Sequence, residues 1–300
     1  MPKLRIVVLM GGNSSEHEVS LISGQEVLKN LDTKKYEVYP VILSKNKKLN
    51  IKDLGWIDEF KPDVVFIAMH GRGGEDGVVQ GFLEFLGIKY TGCGVLASAL
   101  GMDKISFKSL MKQNNINVPR DVVFKSLGNK WVVKPSDQGS SVGVSIVRDE
   151  SKLNEALKKA FEFSDKAIVE EFIEGIELSC GVLGNENPMA LPVIEICPKN
   201  EFFDYEAKYT DGKCEEIVPA RISDDDTKMV QKIAVEVFKI VGGRGFARID
   251  LILKNHVSYV LEINTIPGLT PNSLLPKEAL VAGISYPELL ERMIELALES

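Results

Sequence analysis

Residues 245–264 read GFARIDLILKNHVSYVLEIN. Apolar and polar residues alternate through this run with β-branched and aromatic enrichment, the pattern of two strands joined at Lys254-Asn255-His256. Side chains two apart on a strand share a face, so Arg248 goes with Asp250 and Glu262 with Asn264. A hairpin symmetric about His256 sets Arg248 opposite Asn264 and Asp250 opposite Glu262, one polar patch on a face where a core is otherwise expected. Two carboxylates and an amide oxygen are hard ligands that suit Mg2+ shared with substrate phosphates. The adjacent Arg suits charge that develops in phosphoryl or acyl transfer. A salt-bridged hairpin face is the plainer reading of the same residues.

Outward from this run, the chain of 300 residues is long enough for two or three domains with ample core. Its formal charge of -7, with Lys and Arg dispersed, argues against a nucleic-acid partner and for small molecules. Cys93, Cys180, Cys197 and Cys214 show no CxxC spacing, so they read as free, buried thiols of a reducing cytoplasm and not as a zinc site or disulfide framework. The start, MPKLRIVVLMGG, is too short in its apolar run for a signal peptide or a membrane span and reads as a buried first strand.

Strands at Leu4 to Met10, Tyr36 to Leu43 and Val64 to Met69, with helices at Ser23 to Leu31 and Gly77 to Leu86, imply a parallel sheet covered by helices. Two polar loops, 11–18 and 70–77, each follow a strand and precede a helix, where ligands of open α/β sheets bind. Neither GxGxxG nor GxxxxGK[ST] is present, so ordinary dinucleotide and P-loop readings fail. A helical stretch runs from about residue 94 through Asn115, and Ile116-Asn117-Val118-Pro119 breaks the pattern. Beyond it, strands Lys130 to Lys134 and Val144 to Val147 flank a Gly/Ser-rich loop with Lys134 at its entrance, a combination that can hold phosphate oxygens or form a plain hairpin turn. A helix at Leu153 to Phe161 and a strand at Ala167 to Ile173 follow. Ser14, Ser15 and Glu18 suit a helix cap, and His17 and His256 read as solvent-facing loop histidines without chemistry.

Taken in order, GGNSSEHEVS (11–20), HGRGGEDG (70–77), MDK (102–104), KPSDQGSSVG (134–143), VEEFIEG (169–175), FFDYEAKY (202–209), GFARIDLIL (245–253) and LEINTIPGLTPNSLLP (261–276) resemble the D-alanine:D-alanine ligase family of the ATP-grasp superfamily, from about Arg5 to Leu298. The resemblance implies an α/β, three-domain ATP-grasp architecture. Its expected parts are a Rossmann-like N-terminal domain over 1–93, a central subdomain over 94–173 and a C-terminal subdomain over 174–300. It also implies ATP-dependent joining of two D-alanine molecules through a D-alanyl phosphate, for peptidoglycan synthesis. Another ATP-grasp carboxylate-amine ligase, or a D-alanine:D-lactate ligase, is the alternative.

By the same resemblance, Lys104, Lys134 and Lys208 hold ATP phosphates, while Glu170, Glu171, Ile173 and Glu177 hold adenine and ribose. Asp250, Glu262 and Asn264 hold two Mg2+ or Mn2+ ions. Glu16 pairs with the first D-alanine ammonium, with His70 near it. Arg248 and the Gly268 NH stabilise the acyl phosphate and the tetrahedral intermediate. Ser273 and the Leu274 NH hold the second carboxylate. Glu16, Ser140 and Tyr209 form a hydrogen-bonded trio that closes a mobile loop at 204–217. A cytoplasmic homodimer is implied. The connection from Pro119 to Lys130 is shorter than the family's usual segment there.

Overall fold

The computed structural model describes residues 2–45, 54–122, 130–198 and 214–299. The N-terminal part alternates β1 (Leu4–Gly11), α1 (His17–Asn30), β2 (Tyr36–Leu43), α2 (Trp56–Phe60), β3 (Val64–Ile67), α3 (Val78–Phe85) and β4 (Lys89–Tyr90). Its four strands are parallel in the order β2-β1-β3-β4, as the alternation of elements predicts. Covered on both faces, β1 after Arg5 and the whole of β3 are continuous apolar runs rather than alternating ones. The chain leaves β1 toward one side of the sheet and returns through β3 on the other, so the loops after these two strands meet at a switch point. The Ser14 hydroxyl donates to the His70 carbonyl there at 2.7 Å.

The helix expected at Ser23 to Leu31 starts six residues earlier, at His17. Its first turns carry serines that are polar yet buried. The Ser20 hydroxyl accepts from Gly11 NH at 2.8 Å and donates to Ala68 carbonyl at 2.7 Å, so hydrogen bonds to strand ends replace the apolar periodicity that marks a helix. Glu16, and neither Ser14 nor Ser15, precedes the first helical residue, and no side chain caps it. His17 is buried and bonds through Nδ1 to the Gly12 carbonyl at 2.7 Å, which corrects the solvent-facing reading. His256 is largely exposed, as expected.

The helical stretch expected through Asn115 is two helices, α4 (Val95–Met102) and α5 (Lys104–Gln113). Asp103 stands between them in extended backbone and accepts the Ser106 NH at 2.9 Å, an N-cap that restarts the helix at Lys104. Next come β5 (Trp131–Pro135), β6 (Ser145–Val147), α6 (Leu153–Phe161) and β7 (Ala167–Glu171), an antiparallel sheet in the order β6-β5-β7. Leu153, Ala156 and Ala160 of α6 pack on Trp131 and Val133 of β5.

The remaining sheet comprises β8 (Ile176–Leu183), β9 (Met189–Ala190), β10 (Ile194–Pro198), β11 (Cys214–Ile217), β12 (Phe246–Lys254) and β13 (Val257–Asn264). Its order is β11-β10-β8-β12-β13, with β9 on β8, and α7 (Asp224–Ile240) covers one face together with α5. Two last helices, α8 (Leu274–Val281) and α9 (Tyr286–Glu299), bury Leu275, Ala279, Leu289 and Met293 against Ile6, Val8 and Phe66 of the first sheet. Among the described residues no helix is long and apolar enough to cross a membrane.

The β12–β13 hairpin turns on two residues, Asn255 (φ 49°) and His256 (φ 61°), both left-handed as a tight I′-type turn requires. Pairing runs from Lys254 opposite Val257 to Leu251 opposite Val260, then shifts so that Asp250 faces Glu262 and Arg248 faces Asn264. The expected pairs form, but not through symmetry about His256: the turn sits half a residue earlier, and Leu261 is an extra, bulged residue that makes up the difference. Ser258 and Val260 point to the core. Without the bulge, Glu262 and Asn264 follow them inward, since a one-residue slip exchanges the faces of a strand. Replacing Ile263, which takes the core position past the bulge, with Asn therefore has a defined expected outcome. Urea unfolding should show a loss of about 3 kcal/mol or more, the cost of losing a packed side chain and burying an amide without partners. Unchanged stability would contradict the assigned face.

Candidate active site

The loops at the first sheet's switch point, the start of α5, the Gly/Ser loop after β5, the β12–β13 hairpin and the start of α8 enclose a cavity of about 530 Å³. Glu16 and His70 enter from the first sheet. Glu16 is buried, and its carboxylate accepts the Ser140 hydroxyl, so two members of the expected trio meet. The third, Tyr209, lies outside the described residues, as does Lys208. Ser140 and Ser141 have φ values of 51° and 57°, a left-handed backbone that costs energy in non-glycine residues and clusters at functional loops. His70 is buried, with Nε2 at 2.8 Å from the Ser23 hydroxyl and Nδ1 at 3.0 Å from the Ile266 carbonyl and 3.4 Å from Glu75. Burial lowers its pKa, but the Glu75 carboxyl, with Glu16 and the Ile266 carbonyl, more than offsets this and raises it above the ordinary imidazole value. With both ring nitrogens engaged, His70 braces the loop rather than presenting a vacant donor.

Across the cavity, Arg248 is a buried fork whose Nε and Nη2 donate to the two Asp250 oxygens at 2.9 and 2.7 Å. Burial lowers the Arg248 pKa and the Asp250 charge more than restores it, which keeps the guanidinium charged. Asp250 also accepts the Ser179 hydroxyl at 2.8 Å. Glu262 Oε2 lies 3.2 Å from Lys104 Nζ, which donates to the Gln138 carbonyl at 2.8 Å. Asn264 Oδ1 accepts the Ile266 NH at 3.0 Å. Among the described residues no three His, Cys, Asp or Glu side chains group as metal ligands. The donor set is thus two carboxylates and an amide, too few for an all-protein cage and suited to a hard cation completed by phosphate oxygens.

Lys104 and Glu262 also border a second cavity of about 590 Å³, which lies between the β5–β7 sheet and the open face of the third sheet. Its size suits a nucleotide. Ile173, Glu177, Val132, Ile196 and Ile252 line it, and Lys130 Nζ sits 3.5 Å above the Phe172 ring at its edge. Lys134 Nζ meets Glu170 at 2.6 Å, and the other Glu170 oxygen takes Lys108 at 2.7 Å. Glu170 therefore holds lysines in place, and its carboxylate is not turned to a ribose. Lys108, which also reaches Asp121 at 2.5 Å, is a part of the site that the sequence reading passed over. It follows Lys104 by one helical turn on α5, a spacing that reads as a solvated face. The Glu171 carboxylate is bound by Arg120 through both oxygens, which leaves its backbone to the pocket.

At the far end of the first cavity, Ser273 precedes α8. Its hydroxyl accepts the Thr270 NH at 3.1 Å, and a Cβ on Gly268 would stand 2.6 Å from it, so a side chain there would displace the Ser273 hydroxyl. Leu274 is the first residue of α8, whose N-terminus receives no side-chain cap. Cys214, Glu216 and Lys277 complete this end. All four cysteines are free; Cys93 and Cys180 are buried, while Cys197 and Cys214 are half-buried.

The family model "D-ala D-ala ligase C-terminus" matches residues 96–295, and "D-ala D-ala ligase N-terminus" matches 5–58 and 56–93. The chain is 42% identical to a D-alanine--D-alanine ligase of Pelotomaculum thermopropionicum, over 99% of this chain and 98% of the relative. The crystal structure of D-alanine--D-alanine ligase from Bacillus anthracis complexed with ATP superposes with a TM-score of 0.84 at 38% identity, over 100% of this chain and 98% of that one. The VanG D-Ala:D-Ser ligase of Enterococcus faecalis also superposes with a TM-score of 0.84, at 33% identity over 99% and 100% of the two chains.

Glu278 lies behind this site, fully buried on α8. One oxygen accepts the Gly181 NH at 2.8 Å, and the other has no partner among the described residues. Position 181 must be glycine, since a Cβ would meet the carboxylate at 2.5 Å. Burial pushes the Glu278 carboxyl up to about 8, with Arg248 opposing and Asp250 reinforcing the rise. A raised acid binds its proton more tightly folded than unfolded, so its stabilising contribution is complete below the ordinary value of 4.5 and is lost as pH rises through 8. Unfolding free energies at pH 5 and at pH 8.5 should fall with pH more steeply in wild type than in Glu278→Gln. Parallel pH dependences would contradict this.

Proposed function

The chain belongs to the D-alanine–D-alanine ligase family, and from that premise we propose how its own residues carry out the reaction. The protein is an ATP-dependent ligase that joins two D-alanine molecules into D-alanyl-D-alanine for peptidoglycan synthesis. The reading of its site is carried by one observation: the nucleotide-sized cavity and the polar cavity adjoin at Lys104 and Glu262.

In this reading ATP lies in the second cavity, with its phosphates directed at Lys134 and Lys104. Lys208, the third lysine of this reading, lies outside the described residues. Glu170 orients Lys134. The first D-alanine is held by its ammonium at Glu16, with His70 bracing the loop. Its carboxylate oxygen takes the γ-phosphoryl group, giving D-alanyl phosphate and ADP. The second D-alanine, its carboxylate held at Ser273 and the Leu274 NH, attacks the acyl carbon through its amine. The carbon-oxygen bond then breaks and phosphate leaves with the electron pair. Arg248 and the Gly268 NH lie where charge accumulates on the acyl phosphate and on the tetrahedral carbon's oxygen. Asp250, Glu262 and Asn264 would hold two Mg2+ or Mn2+ ions, which neutralise phosphate charge when bound. Tyr209, the third member of the expected trio with Glu16 and Ser140, lies outside the described residues.

Further parts of the proposal are three domains over 1–93, 94–173 and 174–300, supported by one sheet centred in each. A homodimer is supported by the exposed apolar side chains Val78, Phe85 and Leu96 on α3 and α4. A cytoplasmic location is supported by the use of ATP and by four free thiols.

Phosphate release from ATP should depend on D-alanine and should not be supported by L-alanine, and D-lactate should compete poorly as second substrate. Arg248→Lys keeps the charge but loses the two-pronged geometry. It should cost about 2–4 kcal/mol in kcat/KM for D-alanine with ATP binding little changed. Weakened ATP binding at preserved turnover would make Arg248 a nucleotide ligand instead.

A further inference from the structure

Among the described residues, the lysine and arginine side chains that line the first cavity are Lys104, Arg248 and Lys277. Lys104 is committed to Glu262 and to the Gln138 carbonyl, and Arg248 to Asp250, all at the end where the two cavities meet. Lys277 stands apart, on α8 one helical turn beyond Ser273, so the two side chains share a face of that helix. Its Nζ donates to Glu216 Oε2 at 2.5 Å, from the edge strand β11. An ammonium has three donor hydrogens, and this ion pair occupies one. Beside it, the first NH groups of α8 receive no side-chain cap. A cation with donor hydrogens to spare next to uncapped helix NH groups, in a cavity whose other cations among the described residues are engaged elsewhere, is complementary to a carboxylate.

We propose that Lys277, oriented by Glu216, pairs with the carboxylate of the amino acid that acts as nucleophile, and that this contact selects an α-amino acid over an uncharged amine. The proposal rests on the reading of Ser273 and the Leu274 NH as the seat of that carboxylate. Glu216 fixes the lysine and partly offsets its charge, which favours release of the product.

The test is a competition in which the full-length protein receives ATP, Mg2+, D-alanine and D-alaninamide. D-alaninamide has the same amine and methyl group but no carboxylate. Mass spectrometry reads the ratio of D-alanyl-D-alanine to D-alanyl-D-alaninamide. Lys277→Met should lower that ratio about tenfold, the scale of one charge-assisted hydrogen bond, and Lys277→Arg should restore most of it. A proportional loss of both products, with the ratio unchanged, would reduce Lys277 to a tether for β11 and overturn the proposal. Ser273→Ala separates the two layers of the argument. If it lowers the ratio while Lys277→Met does not, the carboxylate seat stands and the role of Lys277 falls. If neither variant moves the ratio, the seat falls as well.

Discussion

One extra residue in a strand, Leu261, determines which way Glu262 and Asn264 point. Up to Val260 the odd and even positions of β13 obey the ordinary alternation, with Ser258 and Val260 toward the core. Past the bulge the alternation is reset, and Ile263 takes the core position. Glu262 thereby stands opposite Asp250 and beside Lys104, where a carboxylate has cationic company instead of hydrocarbon. The neighbouring ladder between β12 and β8 is regular from Phe246 to Leu253 and holds Arg248 and Asp250 on the same face. The acidic cluster is thus placed by backbone hydrogen bonds on the last two strands of a sheet, β12 and β13, the rigid support that a group positioned to within a fraction of an ångström requires.

The same constraint explains why the molecule can keep so many charges out of water. Nearly every ionised group near the site is held by an opposite charge or by backbone: Arg248 by Asp250, Glu170 by Lys108 and Lys134, Lys104 by Glu262. Buried pairs of this kind add little net stability, because desolvation offsets most of the attraction. Their retention is better explained by what they position. Asp250 and Glu262 hold the cations before any ligand arrives, and both are the residues proposed to take divalent ions. Binding of ATP with its metal therefore exchanges one set of counter-charges for another rather than creating a charged site from nothing.

Much of this was legible in the chain. The parallel first sheet and the two polar loops at its switch point follow from periodicity and turn chemistry, whereas symmetry about His256 gives the pairs Arg248–Asn264 and Asp250–Glu262 that the structure reaches through a different turn and a bulge. The resemblance supplied the roles. What stayed hidden has physical reasons. The first turns of α1 bury serines that bond to strand ends, so hydropathy gave no helical signal before Ser23. Lys108 and Glu278 sit on helices at positions that look solvent-facing, and only the elements packed on them, β7 for one and β8 for the other, reveal burial. The bulge at Leu261 leaves no mark in composition. Tyr209 and Lys208 fall outside the described residues.

The central claim is that the two cavities form one reaction site whose junction is set by the bulged hairpin. It is tested most directly by anomalous diffraction from crystals grown with Mn2+, a non-hydrolysable ATP analogue and D-alanine. The account predicts manganese peaks roughly 2–2.3 Å from oxygens of Asp250, Glu262 and Asn264 and from the terminal phosphates, with the D-alanine carboxylate beside them. Metal bound to the phosphates alone, away from these three side chains, or D-alanine seated remote from the terminal phosphate, would contradict it.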